Sequence, residues 1–143
     1  MAQAASTAAL LDPREYRNVL GTFTTGVTIV TATGADGIRT GVTANSFTSV
    51  SLDPPLVLWS LARTSQSLKV FDSSTHWAVH ILSQEQEALS GRFARRSDDK
   101  FAGLDTRTGL GGAPLLPDCT ARLQCRTAHR YDGGDHVIFV GEV

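Results

Sequence analysis

The sequence predicts an α+β protein, mainly β, whose antiparallel strands wrap into a closed or partly closed barrel with short helices inserted between them. Three observations carry this reading. Six or so segments rich in β-branched and aromatic residues recur along the chain, bounded by Gly, Pro, Asn and Asp turn signals. Helical patterns fall between some of these segments and not between all of them, unlike the strict alternation of a parallel α/β sheet. The chain of 143 residues, 41% hydrophobic and 19% charged, supplies one ordinary core and is too short for two comfortable domains.

Residues 1–11 are rich in Ala, Ser and Thr and are expected to form a disordered tail, so the ordered domain runs over 12–143. A helix starts at Asp12, which can cap the free amides. Pro13 suits the first helical position, and Glu15 can reach back as in a capping box. Tyr16, Val19, Leu20 and Phe23 then share one face, which needs a surface to pack on. GVTIVTAT (26–33) and IRTGVTANSF (38–47) read as a hairpin around Gly34-Ala35-Asp36-Gly37. LVLWSL (56–61) follows as a third strand after Asp53-Pro54-Pro55, where the prolines lack the amides of a central ladder. Residues 65–73 suggest a short helix with Leu68 and Phe71 facing inward, HWAVHIL a buried strand, and SQEQEALSGRFARR a helix capped by Ser83 with Gln86 three residues on. Residues 97–118 hold four Gly and two Pro with little periodicity, which predicts a long surface excursion. Two more strands, ARLQCRTAHRY and HVIFVGEV, flank the turn from Asp132 to Asp135. The chain stops at Val143 within an alternating pattern, and a barrel of this kind would want at least one more strand.

Composition excludes some partners. Thirteen basic and 14 acidic residues give a net charge of -1, with no Lys/Arg run beyond Arg95-Arg96, so nothing points to nucleic acid or an anionic membrane surface. The N-terminus has no basic region ahead of an apolar one, and no segment nears the roughly 18 apolar residues of a membrane span. A cytoplasmic protein is expected, with Cys119 and Cys125 as free thiols that fit neither a CxxC pair nor a zinc pattern. Dinucleotide-fold, P-loop, α/β-hydrolase and zincin motifs are all missing. His76 and His80 lie on one face of a strand, about 13 Å apart at ~3.3 Å per residue, too far to share a metal.

One stretch asks for a ligand. TGVTANSFTSVSLDPPLVLWSL (40–61) carries a single charge, Asp53, while seven of its first twelve residues bear a hydroxyl or an amide. Read as one strand from Gly41 to Leu52, it puts Thr43, Asn45, Phe47, Ser49 and Ser51 on one face and Val42, Ala44, Ser46, Thr48 and Val50 on the other, with little bulk on either. Buried hydroxyls and amides left unpaired cost roughly 1–3 kcal/mol each. Two readings fit. A flat heteroaromatic ring lies against these small residues and supplies the missing volume and hydrogen bonds, or the stretch is a Ser/Thr-rich edge strand facing water. Downstream, Ser60 to Ser67 leads from a strand into a helix start, where free amides, Arg63, Ser65 and Ser67 favour an anion. The plainer reading has Thr64 or Ser65 capping the helix and Arg63 solvated. Taken together, the two halves describe a mononucleotide cradle.

Five segments in order, FTTGVTIVTA (23–32), residues 40–61, the Ser65/Ser67 helix start, GRFA (91–94) and GGDHVIFVGEV (133–143), resemble the short-chain flavin reductase family of the FMN-binding split barrel. That family is typified by the reductase components of two-component flavin monooxygenases. The resemblance, from about Tyr16 to Val143, implies a split β-barrel of Greek-key-like antiparallel strands. It also implies NADH- or NADPH-dependent reduction of free FMN or FAD, a homodimer, and transfer of the reduced flavin to a partner monooxygenase. By the same resemblance Thr43, Ala44, Asn45 and Ser46 lie along the flavin ring and Ser49, Val50 and Ser51 along the ribityl chain. Ser60, Leu61, Ser65 and Ser67 then reach the phosphate, with Arg63 assisting. Phe93 and Ala94 would close a helix end over the flavin, and His136 in the Gly134-Asp135-His136 triplet would orient the dinucleotide. The Gly-rich excursion could cover the nicotinamide. Members usually continue past the GEV segment, which this chain does not. A non-catalytic flavin-binding or electron-carrying module on the same barrel is the alternative.

Overall fold

The structure, a computed structural model, describes residues 11–23 and 25–143. All of the expected tail except Leu11 lies outside the described residues. Among the described residues the first helix, α1 (Pro13–Gly21), has the expected cap: the Asp12 carboxylate accepts from the Arg14 amide at 2.9 Å, and Pro13 occupies the first turn. None of its residues is buried, so its apolar face finds no surface among the described residues.

Seven strands form one antiparallel sheet: β1 (Thr28–Thr33), β2 (Arg39–Ala44), β3 (Thr48–Leu52), β4 (Pro55–Ala62), β5 (His76–Ile81), β8 (Ala121–Gly133) and β9 (His136–Glu142), in the order β2-β1-β5-β8-β9-β4-β3. A separate two-residue pair joins β6 (Arg107–Thr108) to β7 (Pro114–Leu115). Mainly β with short inserted helices is therefore what the chain builds.

The expected single strand over 41–52 does not form. It ends at Ala44, and after Asn45–Phe47 the chain resumes as β3 at the opposite edge of the sheet. Six spacings of about 4.8 Å would put the edges of a flat seven-stranded sheet ~29 Å apart. The step from Ala44 to Thr48 reaches ~14 Å at most. The sheet must therefore curl until its edges approach, although β2 and β3 share no ladder.

The concave side holds the main core. Trp59 packs between Phe71 and Phe139, with centroids 4.8 and 5.3 Å away, and meets Trp77 edge-on at 6.0 Å. Gly141 admits this cluster, because a Cβ there would sit 2.5 Å from the Trp77 ring. Helix α2 (Leu68–Ser73) contributes buried Val70 and Phe71 to the interior.

The outer face of β1 and β5 is also covered, which is why β1 is buried along almost its whole length. Helix α3 (Glu87–Ala94), entered through the Ser83/Gln86 capping box, lays Phe93 against Ile29, Phe101 and Leu116. The Gly-rich segment is not the open excursion expected from its composition. Thr31 and Thr33 hydroxyls donate to the carbonyls of Pro114 and Gly112, both at 2.6 Å, and Ala113 to Leu116 are buried. Its polar backbone is satisfied by the strand it covers, so it straps β1 and β5 and does not hang free.

Candidate functional site

Asn45, Ser46 and Phe47 link the two edges of the curled sheet. Among the described residues, no main-chain hydrogen bond involves any of the three. Asn45 is exposed and Ala44 beside it is buried. A run of unpaired N–H and C=O groups beside small side chains is what the polar rim of a planar ligand requires. Ser46 is held differently: its Oγ accepts from the Ser60 amide at 2.9 Å and lies 3.3 Å from the Ser60 carbonyl, to which it donates. That contact pins the link against β4.

Strand register brings the other end of the chain to the same place. Ala62 pairs with His136, and Ser60 with Ile138. On β4 Val57, Trp59 and Leu61 point into the core, so Ser60 and Ala62 look outward together with His136. His136 thus stands about 8 Å from Ser60, two residues along and one strand over. Its Nδ1–H donates to Asp135 Oδ1 at 2.7 Å. The hydrogen bond and charge of His136 hold the Asp135 carboxyl below its ordinary range, so Asp135 is an acceptor and Nε2 is left for other partners.

The phosphate half of the expected cradle is less uniform. Ser67 is buried at the start of α2 and shares a 2.5 Å hydrogen bond with Thr40 of β2, while Ser65 Oγ accepts from the Ser67 amide at 3.2 Å. Thr40 and Ala44 are four residues apart on β2, about 13 Å at ~3.3 Å per residue. A groove of about 640 Å³ opens here, lined by Ser67, Thr40, Gly41, Arg39, Lys100 and Phe101 among others. Arg63 is elsewhere. Its Nε donates to Gly134 O at 2.9 Å and its Nη2 to Asp132 Oδ1 at 2.6 Å, so the guanidinium is bound to the β8–β9 turn.

The remaining expected residues divide. Thr43 donates its hydroxyl to Ser90 O at 2.6 Å, which ties β2 to α3. Ser49 and Val50 are exposed and Ser51 half-buried on β3, where a register shift between Ser49 and Ser51 interrupts the ladder. This strand faces water in the single chain, as the edge-strand reading holds. Leu61 is buried in the core, so only its main chain is available. Phe93 is in the packed interior: its ring is 1% exposed, 5.2 Å from Phe101, and it fills the space beside Gly41. Ala94, next to it at the helix end, is exposed.

Two residues went unread in the sequence. Lys100 donates to the carbonyls of Gly41 and Phe93 at 2.9 and 2.8 Å on the groove wall, and partial burial lowers its pKa. Its signal was faint: it is one of only two lysines, directly ahead of a buried Phe. Asp132 had no signal beyond its place in a turn. Among the described residues no three His, Cys, Asp or Glu side chains gather to hold a metal, and no helix is long and apolar enough to cross a membrane. Both cysteines are free thiols.

Comparison with known proteins gives one consistent result. The family model described as "Flavin reductase like domain" matches residues 20–143. The FMN reductase (NADH) SmoA of Agrobacterium fabrum is 52% identical over 91% of this chain and 74% of its own. The reductase component of the flavin-dependent trigonelline monooxygenase of Acinetobacter baylyi is 46% identical over 91% of this chain, which spans only 42% of that protein. Among solved structures, the NADH:FAD oxidoreductase SgcE6 of Streptomyces globisporus superposes with a TM-score of 0.85 at 41% identity, covering 94% of this chain and 83% of that one. SgcE6 has also been solved with NAD and FAD fragments bound.

Proposed function

Since the chain belongs to the flavin reductase-like family, we propose that it is an NAD(P)H:flavin oxidoreductase that reduces free FMN or FAD and hands the product to a flavin-dependent monooxygenase. The observation that carries this is the Asn45–Phe47 link, whose main-chain groups are unpaired among the described residues and which Ser46 seats on Ser60, two residues from the Ala62–His136 pair. Flavin supplies the hydride acceptor and the reduced dinucleotide the donor, so the protein's work is to hold two rings face to face.

Each group has a task in that arrangement. Asn45 and the main chain of Ala44 to Phe47 meet the polar edge of the flavin, and Ser46 keeps the link seated on Ser60. Ser49, Val50 and Ser51 border the ribityl chain. Ser65 and Ser67, with Ser60 and the main chain of Leu61, face the phosphate end beside the groove wall that Lys100 forms. His136, with Nδ1 bound to Asp135, presents Nε2 to the dinucleotide. The barrel is of the split type, its two edges linked and unladdered.

We further propose a homodimer. Tyr16, Val19 and Leu20 on α1 and Phe23 just past its end are 54–78% exposed, and a second copy would cover them. Light scattering should give twice the monomer mass, and Val19→Glu with Leu20→Glu should return it to one.

Oxidation of NADH and NADPH followed at 340 nm with FMN or FAD tests the central reading. Asn45→Ala should weaken flavin binding about tenfold, the loss of one buried polar partner. His136→Ala should slow turnover more than binding. A full-length preparation that takes up neither flavin at micromolar concentration would disprove the assignment.

A further inference from the structure

Arg63 follows directly on the Ala62–His136 pair that ends β4, and it makes three hydrogen bonds to one short turn. Besides the two guanidinium bonds to Gly134 O and Asp132, its own amide donates to Asp135 O at 3.0 Å. We propose that Arg63 is a positioning residue: it locks the Asp132–Asp135 turn so that His136 stays aimed across the outer face of β4, and it does not hold the phosphate. The inference rests on the flavin reductase reading.

Magnitudes favour position over stability. The two side chains of the Arg63–Asp132 pair are 40% and 80% exposed, and such surface ion pairs contribute little to folding. Geometry gains more. The planar guanidinium offers donors in fixed directions, and two of them engage Asp132 Oδ1 and the carbonyl of Gly134, which sits at φ +68°. The hydrogen bond and charge of Arg63 also hold the Asp132 carboxyl below its ordinary range, so the clamp stays ionised at neutral pH. The Arg63 amide fixes the backbone of Asp135, whose carboxylate in turn takes the His136 ring. The guanidinium therefore holds the turn at Asp132 and Gly134, and that turn carries Asp135 and the imidazole bound to it. Misplacing a reacting group by about 1 Å costs as much as 100-fold in rate.

Arg63→Gln should slow flavin reduction by NADH or NADPH ten- to 100-fold in stopped flow, with FMN and FAD dissociation constants within about twofold of wild type. Combined with His136→Ala it should add nothing, because the side-chain clamp on the turn acts on the rate only through the aim of His136. Asp132→Asn removes only the exposed half of the clamp and should show a smaller loss in the same direction, which keeps the test open if Arg63→Gln folds poorly. Weakened flavin binding with an unchanged rate in Arg63→Gln would restore the phosphate role and overturn the proposal, and so would effects that multiply independently with His136→Ala. An active wild type whose rate Arg63→Gln leaves unchanged sinks the inference alone. A wild type inactive with every flavin and dinucleotide sinks the underlying reading and this inference with it.

Discussion

Lowering the pH from about 7.5 to about 5 should destabilise the fold by ~2 kcal/mol through one side chain, His80. Burial strips the imidazole of water and lowers its pKa from 6.5 to about 4; the Ile29 carbonyl pulls the other way, and the charge of Arg122 adds to the fall. The contacts agree with this. Nδ1–H donates to Ile29 O and Nε2 accepts from the Leu116 amide, both at 3.0 Å, so a second ring proton would face an N–H donor. Between pH 6.5 and about 4 the unfolded chain binds a proton that the native ring refuses. The contribution of His80 is therefore complete above the upper value and declines as the pH falls through the window, levelling off below the lower one. At about 1.4 kcal/mol per pH unit the whole window amounts to ~3 kcal/mol, of which ~2 is lost by about pH 5. Urea midpoints for wild type and His80→Gln across this range isolate the effect, since Gln keeps a donor and an acceptor but does not titrate. The wild-type curve should fall more steeply. Parallel curves would refute the reasoning.

Three further outcomes follow from packing. Phe93→Ala should destabilise by about 3–5 kcal/mol in chemical denaturation, because the ring is buried against Ile29, Phe101 and Leu116. A ring that only covered a ligand would cost affinity and no stability. Gly141→Ala places a Cβ 2.5 Å from the Trp77 ring and 2.9 Å from Cys125 Cβ, and should cost about 1–3 kcal/mol with an altered near-ultraviolet tryptophan signal. Burial pushes the Cys125 thiol up to about 12, so at about pH 8 a thiol reagent should leave it unmodified until the protein unfolds. Prompt modification of both cysteines would mean that β8 opens in the native state.

The fold was legible wherever local chemistry acts alone. Asp12-Pro13 begins a helix and Ser83 with Gln86 forms its capping box, since these bonds need only near neighbours. The Gly34–Gly37 hairpin joins β1 to β2 in the register its turn sets. Long-range relations were less legible. Nothing in Ala44-Asn45-Ser46-Phe47-Thr48 carries the Gly or Pro that usually marks a break, so the step from one sheet edge to the other was hidden inside an unbroken β-like pattern. The segment after residue 97 misled in the opposite sense. Its glycines read as looseness, yet Gly111 at φ +61° lies so close to His76 that a side chain would collide, and the neighbouring carbonyls are bound by Thr31 and Thr33. Glycine there permits close packing.

The same distinction explains the candidate site. Small polar residues over 40–61 signalled that something must complete their hydrogen bonds, and Asn45 to Phe47 still have unpaired main-chain groups among the described residues. The strand break itself accounts for that. A residue that leaves one ladder before joining another has no neighbour on either side, so the topological step that escaped sequence reading is also what leaves this backbone unpaired. Arg63 shows the converse. Its charge beside Ser65 and Ser67 suggested an anion, but charge alone does not say which neighbour arrives first, and the pairing of β4 with β9 delivers Asp132 and Gly134 to it. Which donors remain for a ligand is thus decided by strand register, a property of distant residues that no local motif encodes.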